Sequence, residues 1–180
     1  MNLSFTISFK RIFALGTVLA ALATPLAATA QQAWKIYTYS NAGFSIASPV
    51  APKADIDTVD TDSGPMQMST YEGDDADTVL VVSICDFSKA KGNLGQDMLK
   101  AQEAALEATH GHIIRKRTVS LGAYQGTEYE SENDKMHIFA RAYMVKQVLY
   151  QEIVAFPIAS EYPDAQRFLD SFRLTPHARG

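Results

Sequence analysis

Residues 112–156 read HIIRKRTVSLGAYQGTEYESENDKMHIFARAYMVKQVLYQEIVAF, and this stretch decides the fold. It divides into four runs rich in β-branched and aromatic residues: His112–Leu121, Tyr124–Glu132, Lys135–Val145 and Val148–Phe156. Such runs favour strands. Only Gly122-Ala123, Asn133-Asp134 and Lys146-Gln147 separate them. Gaps this short close hairpins, whereas a parallel crossover needs about a dozen residues or more. An antiparallel meander is predicted.

Working outward, the same chemistry recurs upstream. Trp34–Tyr39 and Phe44–Ala47 flank a Ser40–Gly43 turn, and Pro49 and Pro52 then break the pattern. Ala54–Thr61 and Met66–Glu72 flank Asp62-Ser63-Gly64-Pro65, and Gly73–Asp77 reads as an acidic loop. Thr78–Cys85 (TVLVVSIC) is the most apolar run, which predicts an interior strand. A helix follows from an Asn93 cap to Gly111, with Met98, Ala101, Ala105 and Leu106 on a 3.6-residue repeat. Downstream, Pro163 opens a second helix over Asp164–Phe172, with Phe168, Leu169 and Phe172 on one face. Strands, a helix, more strands and a helix predict an α+β fold: a mainly antiparallel sheet flanked by two helices.

The chain starts with an export pattern. Lys10 and Arg11 precede the apolar run Ile12–Ala27, and Ala28-Thr29-Ala30 offers small side chains to a signal peptidase before Gln31. Residues 1–30 are expected to be removed, leaving residues 31–180 as one periplasmic or secreted α+β domain. The apolar run falls short of the roughly 20 residues that span a bilayer, and the one cysteine, Cys85, is too distant to carry a lipid. No membrane anchor is expected after cleavage. Net charge is −4 for the whole chain and becomes −6 once Lys10 and Arg11 leave, which argues against a nucleic-acid partner. Cys85 lacks a thiol partner and sits in an apolar run beside Asp86, so it is read as a packed thiol.

Candidate chemistry concentrates in the meander. A two-residue turn at Asn133-Asp134 would pair Glu130 with His137 and Glu128 with Phe139, and one at Lys146-Gln147 would pair Arg141 with Glu152. Alternate residues share a face, so Glu128, Glu130, His137, Arg141 and Glu152 would gather. A histidine among carboxylates and an arginine can do acid–base work; the same residues also make a cross-strand salt-bridge ladder. Neither turn has a glycine to set its register, and a one-residue slip would scatter the group. His110 and His112 could share a metal ion only with a third ligand from elsewhere. The acidic series around Asp60-Thr61-Asp62-Ser63-Gly64 lacks the glutamate of a calcium loop at its twelfth position, where Tyr71 stands. Trp34, Tyr37 and Tyr39 would form a contact surface if exposed. Nucleophile elbows, Cys-x-x-Cys, His-Glu-x-x-His and phosphate loops do not occur. No cofactor is expected.

Four segments carry a resemblance: Trp34-Lys35-Ile36-Tyr37; Gly43-Phe44-Ser45-Ile46-Ala47-Ser48-Pro49; Leu121-Gly122-Ala123-Tyr124-Gln125-Gly126-Thr127-Glu128-Tyr129; and Arg167-Phe168-Leu169-Asp170-Ser171-Phe172-Arg173-Leu174. Together they resemble the PsbP-like superfamily, in particular its small exported bacterial members. The resemblance implies an α/β/α sandwich and brings no catalytic residues. The expected role is a non-enzymatic module that binds a protein or small-molecule partner through a sheet face or the Asp74–Asp77 loop. The alternative is an enzyme or metal-dependent protein using the His/Glu/Arg cluster.

Overall fold

A computed structural model describes residues 33–61, 64–88 and 111–176, with side chains described except at 59–61 and 64–66. Ten strands and one helix occur in that range: β1 Lys35–Tyr39, β2 Phe44–Ser48, β3 Lys53–Thr61, β4 Gly64–Asp75, β5 Thr78–Asp86, β6 His112–Leu121, β7 Tyr124–Glu132, β8 Met136–Val145, β9 Val148–Pro157, α1 Ala165–Ser171 and β10 Arg173–Leu174. The helix expected from Asn93 lies outside the described residues. One short helix, not two, is therefore described against the sheet.

Seven strands form one sheet in the order β3-β4-β5-β9-β8-β7-β6, and β1-β2-β10 form a second. Every pairing is antiparallel. Two meanders, β3–β5 and β6–β9, join where β5 meets β9, with Val82 opposite Glu152. β5 is interior, as its apolar run predicts, and both its faces are buried.

One face of the large sheet packs against α1 and the small sheet. Leu80, Val82 and Ile84 of β5 and Tyr150, Val154 and Phe156 of β9 meet Phe44 and Ile46 of β2 and Ala165, Phe168, Leu169 and Phe172 at α1. Removing each large side chain from water contributes on the order of 1.5–3 kcal/mol, so this layer supplies much of the driving force. Aromatic rings knit its centre: Phe44 lies 5.0 Å from Tyr39, 4.9 Å from Tyr71 and 5.6 Å from Phe172. Ser171 ties the helix end to β2, its Oγ accepting from the Ala47 amide at 2.9 Å. Val81, Tyr129, Ile138, Ala140, Ile153 and Ala155 form a second cluster on the opposite face.

The meander departs from expectation at one hairpin. Glu132 pairs with His137, Glu130 with Phe139 and Glu128 with Arg141. Pairing is thus two residues away from the predicted register. The cause is Asn133, whose Oδ1 accepts from the amides of Lys135 and Met136 at 2.9 and 2.8 Å and so builds a wider turn. A slip of two keeps every side chain on its face; a slip of one would not. The β8–β9 hairpin has the expected pair, Arg141 with Glu152; Tyr143 lies opposite Tyr150, and Lys146 takes a positive φ of 58° in its turn.

Gly126 shows why one strand position must lack a side chain. A Cβ there would overlap the Ala142 carbonyl oxygen and the Tyr143 ring, which lies across it from β8. Gly126→Ala is expected to destabilise by about 2–3 kcal/mol through overpacking. In thermal unfolding this is a fall of about 4–12 °C, checked by circular dichroism.

Both edges of the large sheet carry charge. Asp55 and Asp57 are exposed on β3; Arg115, Lys116 and Arg117 are exposed on β6, beside a bulge between Ile113 and Arg115. Charge and a bulge at an edge discourage pairing with other chains.

Candidate functional site

Strand alternation and the two hairpin registers bring Glu128, Glu130, His137, Arg141 and Glu152 to the face that α1 covers. Position along the sheet then separates them into a buried inner part and a partly open outer part.

Glu128 and Arg141 form the inner pair. The Glu128 side chain is 1% exposed and that of Arg141 8%, and Arg141 Nε donates to Glu128 Oε2 at 2.5 Å. Arg117 on β6 donates to Glu128 Oε1 at 2.6 Å. Burial pushes the Glu128 carboxyl up, but hydrogen bonds and charge from Arg117 and Arg141 outweigh it and hold the group below its ordinary value. The other end of Arg141 reaches α1: one Nη2 contact is an ion pair to Asp170 at 2.8 Å, another a hydrogen bond to Gln166 Oε1 at 3.2 Å. Arg141 therefore joins sheet to helix.

Glu130 and His137 lie further out. Glu130 Oε2 accepts from Arg115 Nε at 2.9 Å, and Oε1 lies 3.1 Å from His137 Nε2. The imidazole stacks on Phe139 and Phe156, with centroids 4.9 and 5.2 Å away. These contacts fix the ring as a packing element with one edge on a carboxylate.

Glu152 differs from the rest. It is fully buried, and among the described residues neither carboxyl oxygen has a hydrogen-bond partner. Desolvation raises its pKa well above the ordinary glutamate value, and the nearby Arg141 only partly opposes this.

Of the two histidines weighed as metal ligands, His112 alone is described. His112 is exposed and pairs with Glu132 at 3.2 Å. His110 lies outside the described residues, and among those residues no group of three or more metal-ligating side chains exists. Cys85 is buried and free, with burial pushing its thiol up to about 12, far from a thiolate at neutral pH.

Two expected contact regions are tied into the fold. Asp75 accepts from Tyr162 Oη at 2.9 Å and Asp77 from Ser160 Oγ at 3.3 Å, so the acidic turn is fastened to the segment before α1. Trp34 and Tyr39 pack against the core; Arg167 lies 4.3 Å over the Trp34 ring, and Tyr39 Oη donates to the Pro52 carbonyl at 2.8 Å. The most exposed large apolar residue of β1 is Ile36.

Arg115, Arg117, Gln166 and Asp170 belong to the cluster and escaped the sequence reading. A two-residue turn at Gly122-Ala123 would have paired Arg117 with Glu128 and Arg115 with Glu130, as observed. Gln166 and Asp170 carry no such local signal, because helix docking brings them in.

Comparison with solved structures finds the solution structure of cyanobacterial PsbP (CyanoP) from Synechocystis sp. PCC 6803, at TM-score 0.50 and 12% identity over 84% of this chain and 98% of that one. The fold is PsbP-like. This agrees with the resemblance carried by the Trp34, Gly43–Pro49, Leu121–Tyr129 and Arg167–Leu174 segments. At 12% identity the likeness bears on the PsbP-like fold alone. No protein-family model and no curated protein matches the sequence. Among the described residues no helix is long and apolar enough to cross a membrane.

Proposed function

We propose that this chain is an exported, non-enzymatic domain that binds a protein or small-molecule partner, using the outer sheet surface over β6 and β7. One observation carries the reading: all four carboxylate oxygens of Glu128 and Glu130 already face a guanidinium or imidazole. Proton transfer would first have to break an ion pair, and Glu152 has no exposed surface for a substrate to reach. Charge-matched, rigid side chains suit recognition better than acid–base chemistry. The half-exposed guanidiniums of Arg115 and Arg117 are the groups placed to meet a partner.

Export supports the same reading, since the basic start, apolar run and Ala28-Thr29-Ala30 site address the domain to a compartment outside the cytoplasm. Mass spectrometry of the exported protein is expected to find Gln31 at its start. Affinity capture with the mature protein, in parallel with Arg115→Ser, is expected to recover a specific partner that the variant retains at least fivefold less. No specific partner, or equal recovery by the variant, counts against this surface.

A further inference from the structure

Glu152 is a costly residue to keep in the middle of a sheet. Its neighbours two positions away on the same face, Tyr150 and Val154, lie in the core cluster with Phe168, Leu169 and Phe172. Across β5 it meets Val82, and across β8 it meets Arg141. A carboxylate without partners in such a place is strongly disfavoured, whereas the neutral acid costs far less. An apolar residue of the same size would avoid both.

Among the described residues its charge interacts with Arg141 of β8, Glu128 of β7, Asp170 of α1 and Arg173 of β10, and it acts in turn on Tyr143 of β8. Arg173 is already engaged, Nη1 donating to the carbonyls of Asp170 and Phe172. Arg141 is the cation directly opposite, and it holds Asp170 and Gln166 on α1. One guanidinium thus serves three acidic groups: Glu128 and Asp170, both bonded to it, and Glu152, which is not.

We propose that Glu152 is a proton-controlled latch on the α1 cover, which holds while the carboxyl is neutral and loosens when ionisation draws Arg141 away from Asp170. The proton leaves to bulk water, and the new Glu152–Arg141 pair replaces the Arg141–Asp170 pair. Helix α1 then loses the Asp170 ion pair that ties it to β8, and the helix with the β10 that follows it opens more often. The sign follows from linkage. Desolvation raises the folded-state pKa above the unfolded one, so this stabilisation is complete below the unfolded value and disappears as pH rises through the folded value. Between the two values the opened fraction grows up to tenfold per pH unit, and above the folded value it levels off.

The test compares wild type with Glu152→Gln, which keeps shape and neutrality, and Glu152→Met as a second variant. Carbon-13 spectra of glutamate-labelled protein are expected to show the Glu152 carboxyl protonated at pH 7. Amide exchange, read as protection factors from pH 6 to 10, is expected to show residues 165–174 losing protection up to tenfold per pH unit while β5 and β9 stay protected. Both variants are expected to be flat. A Glu152 carboxyl already ionised at pH 7, identical pH profiles in wild type and variants, or equal loss in β5 and β9 would each overturn the latch.

Discussion

Arg141→Met is expected to destabilise the protein by about 3–5 kcal/mol, the range for removing one partner of a buried ion pair. The Arg141 side chain is 8% exposed and that of Glu128 1%, so water cannot replace the lost guanidinium. Glu128 would keep Arg117 at 2.6 Å, but that partner is half-exposed and holds one oxygen only. Asp170 would lose its sheet contact as well. Much of the expected cost is thus the uncompensated charge on Glu128 and not the worth of the pair itself. The double variant Arg141→Met/Glu128→Gln should accordingly recover about 1–3 kcal/mol relative to additivity. Urea unfolding of the single and double variants measures both quantities. A single-variant loss below about 1 kcal/mol would show that the inner pair does not hold the sheet.

The pair also has a pH signature opposite to that of Glu152. Arg117 and Arg141 depress the folded-state pKa of Glu128, so its contribution is present above the unfolded value and lost as pH falls through the folded one. Glu152 loses its contribution in the other direction, as pH rises. Of two carboxyls facing the same arginine, one therefore loses its contribution as pH falls and the other as pH rises.

Phe44→Ala is the second large effect, at about 3–5 kcal/mol. Phe44 is 0% exposed and touches the rings of Tyr39, Tyr71 and Phe172, so truncation leaves a cavity walled by residues that cannot all collapse into it. It also sits where β2 pairs with β10, Leu174 lying opposite. Loss of this anchor weakens the small sheet and the α1 end together. Denaturant unfolding should show a lower midpoint with an unchanged slope, the sign of lost packing within an intact fold. A change under about 1 kcal/mol would mean that the small sheet is not part of the main core.

Much of this was legible in the chain. The short gaps of residues 112–156 impose hairpins, because nothing longer than a turn fits between the strands. Alternation assigns Glu128, Glu130, His137, Arg141 and Glu152 to one face, and the two-residue slip at Asn133 preserved that assignment because side chains repeat every two residues. The slip itself was not legible: it depends on how the Asn133 side chain caps its own turn, a choice that residues 132–135 leave open.

By itself, then, the sequence determines the antiparallel architecture, the interior place of β5, the shared face of the cluster and the burial of Cys85. These follow from local spacing and apolar content. Only the tertiary structure decides what the cluster is. It joins β6 to supply Arg115 and Arg117, docks α1 to supply Asp170 and Gln166, and fastens the acidic turn at Asp75 to Tyr162. It leaves Glu152 alone under the helix. The reason is physical: the charge state and accessibility of a side chain depend on groups distant in the chain, and strand spacing carries no record of them.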